Sequence, residues 1–288
     1  MAVTARPLRT VLEMIKFEHT VFALPFAFLG MMLAAEGWPS WRTVGWIVVA
    51  MVGARSAAMG FNRLADRRID AANPRTADRA LPARAVSPAF VGLFVVASLA
   101  LLVLAAWRLN PLALALSPVA IAVTLGYSYT KRFTSLSHFV LGLGLSAAPI
   151  GAWIAVRGDV RPAALALGGA VLLWVAGFDV LYALQDIDFD RAEGLHSIPA
   201  ALGIGPSLLL SALLHLGMLA LLAWLPALYA GPLGAWYWLG VGGCAALLCY
   251  QHWIVRPSDL SRLDAAFFRA NGILAVWLFV ATAVDLLV

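Results

Sequence analysis

Asn62, Asp66 and Asp70 are spaced four apart, and Tyr182, Asp186 and Asp190 repeat that spacing 120 positions later (62 to 182, 66 to 186, 70 to 190). A four-residue step turns a helical side chain by about 40°, so the spacing predicts that each trio shares one helix face. Each trio closes a long apolar run, which puts its carboxylates beside hydrocarbon, where uncompensated charge is costly. A proton or a divalent cation must neutralise them. Mg2+ takes one or two protein carboxylates and fills its shell with water and phosphate oxygens. Two such half-sites can hold two Mg2+ ions and clamp a diphosphate between them, stabilising charge that grows on it as it leaves. The alternative for the first trio is a solvated helix end, because Asp66 and Asp70 lie among Arg63, Arg67 and Arg68. That alternative does not explain why the pattern returns around Asp186.

Other polar residues fall near these two groups. Asp179 precedes Asp186 by seven, shares its face and lies deeper in the apolar run; it can orient the cluster or act on an acceptor. Asp188 points about 200° away from Asp186 and reads as solvated. Tyr182 occupies the position of Asn62, as a phosphate contact or an ordinary interfacial tyrosine. Arg55, seven before Asn62, needs an anion: Asp179, another helix's carboxylate, or the carboxylate of a small aromatic acid. Lys131 and Arg132 follow Tyr127-Ser128-Tyr129. They are topology markers, or they bind a diphosphate or an acceptor carboxylate as point charge and fork. Arg67, Arg75 and Arg79 compete for the diphosphate role. The loop carrying Arg75 and Arg79 has turn signals at Asn73-Pro74 and Leu81-Pro82 and can fold as a lid. Arg191, His196 and Ser197 are its equivalents in the second loop. Lys16 and His19 are placed to meet an anionic acceptor. His138, His215 and His252 are scattered without metal-ligand spacing, and there is no Cys-x-x-Cys or Gly-rich nucleotide loop.

The elements that must position these residues are membrane helices. Of 288 residues 62% are hydrophobic and 12% charged, with mean hydropathy +0.88; a soluble domain carries about 25% charged residues. Apolar cores of spanning length run over 20–36, 42–62, 88–107, 110–128, 137–156, 163–184, 207–229, 233–254 and 266–287, nine in all. Pro25, Pro111, Pro118 and Pro149 open or interrupt some of them, which membrane helices tolerate. Residues 1–19 lack the apolar core of a signal peptide, so the first span is expected to direct insertion. Arg6, Arg9, Lys16, Arg63, Arg67, Arg68, Arg75, Arg79, Arg84, Lys131, Arg132, Arg191, Arg256, Arg262 and Arg269 fall on one side, against Arg42, Arg108, Arg157 and Arg161 on the other. The positive-inside rule then places the N-terminus and both acidic groups in the cytoplasm. The net charge of +5 fits that topology and anionic lipid headgroups rather than nucleic acid. Cys244 and Cys249 read as small core residues. The chain is expected to form one membrane-embedded domain over 1–288. Leu81-Pro82-Ala83 and Ile198-Pro199-Ala200 extend the repeat, so an internal duplication of the helices around 42–70 and 163–190 is a reasonable reading.

These motifs resemble the UbiA family of intramembrane prenyltransferases over essentially the whole chain. The first family motif stands as Asn62, Asp66 and Asp70, followed by Arg75-Thr76 and Arg79-Ala80-Leu81-Pro82; the second as Tyr182, Asp186 and Asp190; the basic pair as Lys131 and Arg132. The opening Phe17-Glu18-His19-Thr20-Val21-Phe22-Ala23-Leu24-Pro25-Phe26 is similar to a prokaryotic branch acting on 4-hydroxybenzoate, some members of which use a dihydroxynaphthoate in menaquinone synthesis. The resemblance implies nine helices around a central cavity open to lipid, and Mg2+-dependent transfer of a polyprenyl chain from its diphosphate to an aromatic ring. Ala80 stands where the family has Pro, and Phe189 where some relatives carry another Asp. The base implied for the ring proton is Asp179 or the released diphosphate. A membrane divalent-cation transporter is the rival class; it would favour acids near the bilayer midplane with a route to both faces.

Overall fold

The computed structural model describes residues 10, 14, 20–263 and 265–288, which are helical throughout apart from their connections. The membrane helices are α1 (Thr20–Ala35), α2 (Trp41–Ala72), α3 (Pro88–Leu109), α4 (Pro111–Thr130), α5 (Ser137–Arg157) and α6 (Pro162–Ala183). Two short helices follow, α7 (Ile187–Ala192) and α8 (Ile198–Leu202). Then come α9 (Ile204–Leu228), α10 (Ala235–Ile254) and α11 (Asn271–Leu287), the last entered through a π-helical turn at Ala265–Ala270.

Several boundaries follow from the residues at them. Ser87 and Asn110 cap α3 and α4 by accepting from the amides of Phe90 and Ala113. The next residue in each case is proline at the first helical position, where no amide bond is lost. At the other end of α5, Gly158 adopts φ 69°, and its N–H bonds Ile154 O, the left-handed stop that glycine makes at least cost. Each of the nine expected cores lies on a helix. Seven helices among the described residues are both long and apolar enough to cross a membrane. The described apolar part of α1 is only Ala23–Ala35, and α10 is diluted by Gly240, Gly242, Gly243, Gln251 and His252.

The most enclosed helix is α6, packed between α5 and α9. Its Trp174 has no exposed surface and contacts Phe26 of α1 and Phe178, with ring centroids 4.9 and 5.0 Å away. The indole N–H donates to Asn271 Oδ1 of α11 at 2.8 Å. The pairs α2–α3, α1–α5, α1–α11 and α10–α11 complete the bundle, and α4 leans on α2, α3 and α5. The outward faces carry Trp41, Leu93, Val96 and Trp107, as lipid-facing surfaces do. Lipid tails are as apolar as leucine, so the helices associate through close packing of small residues. Gly142 shows this: a Cβ there would lie 2.5 Å from Leu172 O of α6. Gly142→Val should therefore force α5 and α6 apart. We expect it to cost on the order of 2–3 kcal/mol, read as a lower melting temperature and faster aggregation in detergent on size-exclusion chromatography.

Both acidic groups sit at one end of the bundle, with the C-termini of α2, α4 and α6 and the N-terminus of α5. The opposite end holds an ion-pair group of Arg157 with Glu36 and Asp159, and Arg161 with Asp159.

Candidate active site

The first group stands on unbroken helix. Asp66 and Asp70 are buried on α2, and Asn62 is part-buried one turn earlier. Asn62 Nδ2 donates to Asp66 Oδ2 at 3.1 Å and reaches Ser128 Oγ of α4 at 3.5 Å. The basic pair after α4 converges on the same carboxylate: Lys131 Nζ lies 2.8 Å from Asp66 Oδ2, and Arg132 bonds Asp66 Oδ1 at 3.3 Å and Ala65 O at 2.6 Å. Asp70 Oδ1 accepts from Arg79 at 2.7 Å. Its Oδ2 is buried and accepts no hydrogen bond from the described residues; Arg63 lies 4.0 Å away. Thr76 Oγ donates to Asp70 O and ties the start of the loop to the end of α2.

The second group is built differently from the sequence expectation. Tyr182, Asp186 and Asp190 do not share one regular helix. α6 ends at Ala183, a 3-10 turn covers Leu184–Asp186, and α7 begins at Ile187. A 3-10 turn advances about 120° per residue, so it breaks the four-residue register. Asp186 takes φ −106°, ψ 8°, the bridge region common at active sites. Its carboxylate turns to the first group's loop: Asn73 Nδ2 and Arg75 Nε donate to Oδ1 at 3.1 and 3.0 Å, and a second Arg75 nitrogen donates to Oδ2. Arg75 also donates to Tyr182 Oη at 3.3 Å and lies over the Tyr182 ring. Asp190 instead borders a cavity of about 190 Å3 with Ser135, Arg191, His196 and Ser197. His196 N donates to Lys131 O at 2.7 Å, which joins the second loop to the basic pair.

The remaining expected residues divide as follows. Arg67 is exposed, one position and about 100° round α2 from the buried Asp66. Asp188 is exposed. Arg55 is part-buried on α2. Lys16 and His19 lie outside the described residues. Asp179 finds its partner in His138, with Nδ1 2.6 Å from Oδ2, while His215 and His252 bond each other at 2.8 Å. Sequence reasoning missed Asn73, Arg63 and His138 as parts of the site. Locally, Asn73 reads as a turn signal and Arg63 as helix-end charge, and nothing marks His138.

A hard divalent cation fits this donor set. The oxygens are carboxylate and amide, and Asp70 Oδ2 is buried with no hydrogen bond from the described residues. Among the described residues no three acidic, imidazole or thiol groups converge on one point. An ion that takes one or two carboxylates and completes its shell with water and phosphate is compatible with that sparse set.

Comparison with known proteins follows the same lines. The family model described as "UbiA prenyltransferase family" matches residues 23–279. A 4-hydroxybenzoate octaprenyltransferase of Aliivibrio fischeri (strain ATCC 700601 / ES114) is 34% identical over 260 residues, covering 89% of this chain and 88% of that protein. One of Vibrio vulnificus (strain CMCP6) is 33% identical over 87% of this chain and 88% of its own length. Among solved structures, the apo structure of a UbiA homolog from Aeropyrum pernix K1 superposes with TM-score 0.84 at 35% identity, covering 94% of this chain and 98% of that one. A UbiA homolog from Archaeoglobus fulgidus bound to DMAPP and Mg2+ shares the fold at TM-score 0.67 and 18% identity, over 93% and 99% of the two chains.

Proposed function

Because this chain belongs to the UbiA prenyltransferase family, and is therefore a membrane-embedded prenyltransferase, we propose that it moves a polyprenyl chain from its diphosphate to the ring of 4-hydroxybenzoate in quinone biosynthesis. The observation that carries this reading is the joining of the two acidic groups. Asn73 and Arg75, from the loop after the first, both hold Asp186 of the second. Groups far apart in sequence thus meet at one place, rimmed by Arg79, Lys131 and Arg132. The curated relatives' activity supports the acceptor class. The distribution of Lys and Arg supports a cytoplasmic N-terminus and a site at the cytoplasmic face of a bacterial-type inner membrane.

Asn62, Asp66 and Asp70 on one side and Asp186 and Asp190 on the other would hold Mg2+. When bound, the cation neutralises charge growing on the departing diphosphate. The chain's own residues do the rest. Arg75 and Arg79 offer planar forks that suit phosphate oxygens, and Lys131 a movable point charge. Each lies against a carboxylate of the two acidic groups, which keeps the cations gathered around the place proposed for the diphosphate. The Tyr182 hydroxyl is placed to donate to a phosphate oxygen. The allylic carbon–oxygen bond breaks against an apolar wall that keeps water from quenching the cation, and the tail stays in hydrocarbon. The ring carbon ortho to the phenol hydroxyl attacks, with Arg55 receiving the acceptor's carboxylate.

Purified protein supplied with Mg2+, labelled prenyl diphosphate and either 4-hydroxybenzoate or 1,4-dihydroxy-6-naphthoate tests this reading, with products identified by mass. We expect prenylated 4-hydroxybenzoate, its formation abolished by EDTA and restored by Mg2+. Product from the naphthoate alone would move the enzyme to menaquinone synthesis. No product from either acceptor, with divalent-metal flux in proteoliposomes, would overturn the proposal.

A further inference from the structure

The loop that carries the second acidic group is fastened to the rest of the bundle at a buried histidine. His138 lies in the first turn of α5 and is 3% exposed. Its Nε2 is 3.3 Å from the amide nitrogen of Ile198, the first residue of α8, and its Nδ1 is 2.6 Å from Asp179 Oδ2 on α6. An amide N–H can only donate, so Nε2 accepts and carries no proton. The proton of the neutral ring is then on Nδ1 and is donated to Asp179. Amides in a helix's first turn have no partner within the helix. In α8 the Ser197 hydroxyl takes the Ala200 amide, and His138 takes that of Ile198. Ile198 is 5% exposed, so without the imidazole its amide would be buried and unpaired. The same loop is held two residues earlier, where His196 N–H donates to Lys131 O at 2.7 Å. Leu195 N–H donates to Asp190 O at 2.8 Å, which carries the tie back to the second acidic group. Asp190, Ser197 and Ser135 of the α4–α5 connection line one cavity.

We propose that His138 is a positioning residue for the second acidic group. By accepting the Ile198 N–H it fastens the α7–α8 loop to the start of α5, and that fixes Asp190 at the end of the bundle where the diphosphate is proposed to sit. The inference rests on the diphosphate site proposed above. His138 touches no substrate and acts only through the loop. A neutral imidazole accepts at one nitrogen and donates at the other, on a rigid ring. The loop is therefore set against α6 through Asp179 as well as against α5. Lys131 and His138 flank the α4–α5 connection, so the loop is tied on both sides of it. Losing the His138 tie lets the loop carry Asp190 out of place while the membrane helices stay packed, because loops open locally at far lower cost than a helical core.

The test uses purified full-length protein, labelled prenyl diphosphate, Mg2+ and 4-hydroxybenzoate, together with limited trypsin cleavage at the Arg191–Ala192 bond, where Arg191 is exposed on the same loop. Glutamine at 138 can place its carbonyl oxygen near the position of Nε2, whereas asparagine places its amide near that of Nδ1. His138→Asn thus keeps the contact with Asp179 and loses the loop; His138→Gln keeps the loop and loses Asp179. His138→Asn and His138→Ala should raise the KM for prenyl diphosphate by about tenfold and leave the acceptor KM within about twofold. Both should also be cut at Arg191 at least about threefold faster than wild type. His138→Gln should restore most of the prenyl diphosphate KM and the slow cleavage. An unchanged prenyl diphosphate KM with wild-type cleavage in His138→Asn, or equal effects of asparagine and glutamine, would overturn the assignment. Should His138→Ala fail to fold, the asparagine and glutamine variants still decide the question. A wild-type enzyme that transfers no prenyl chain would instead sink the proposed function, and the cleavage rates read separately whether His138 holds the loop.

Discussion

Asp66→Asn is expected to reduce prenyl transfer by at least about a thousandfold while leaving the protein folded and inserted. Asp66 is 3% exposed and carries the densest contacts of the site, from Asn62, Lys131 and Arg132. Asparagine keeps the volume and removes the charge. Removing one preorganised electrostatic contact at a reacting centre costs on the order of 10²–10³ in kcat, and in the proposed function Asp66 would hold Mg2+ as well. The effect on stability should be far smaller. The Lys131 and Arg132 side chains are 32% and 37% exposed, so both can turn to water when Asp66 no longer holds them. The loss should therefore appear in kcat, with a normal size-exclusion profile. Turnover near that of wild type would remove Asp66 from the mechanism.

Asp186→Ala should be nearly as severe, and its partner Arg75 shows whether the two acidic groups act together. Arg75 joins the loop after α2 to Asp186 by two nitrogens. The pair is part-exposed, at 34% and 19%, and pairs of that kind contribute no more than about 1 kcal/mol to stability. Arg75→Ala should accordingly leave the melting temperature almost unchanged. It should still slow turnover by about tenfold or more, because the loop loses its tie to the second group and, in the proposed function, the site loses a phosphate contact. The double variant should lose less than the two single losses combined, since the two side chains share one contact. Additive losses in that cycle would mean that the two groups function independently.

Much of this arrangement was legible along the chain, for physical reasons. Apolar length reports a membrane helix because the bilayer core has a fixed thickness. Pro111 opens a helix, because proline needs no amide partner at its first position. The spacing of Asn62, Asp66 and Asp70 held because α2 runs unbroken to Ala72. The regular helix was interrupted at Tyr182, Asp186 and Asp190, because a 3-10 turn covers Leu184–Asp186 between α6 and α7. Residue type did not tell how far Arg67 is covered; the phase of α2 leaves it exposed beside the buried Asp66.

The sequence by itself determined that the chain is a helical membrane protein, where its helices run, and that oxygen donors and cations gather at the ends of particular helices. These are properties of local period and apolar length, set within one or two turns of chain. Only the tertiary structure decided which charge meets which. Arg75 finds Asp186 across 111 positions and His138 finds Asp179 across 41. Such partners are chosen by how α2, α4, α5 and α6 pack at their shared end, and packing depends on side-chain shape along whole helices. A lone His138 in an apolar run carries no mark of its partner until α5 and α6 lie together.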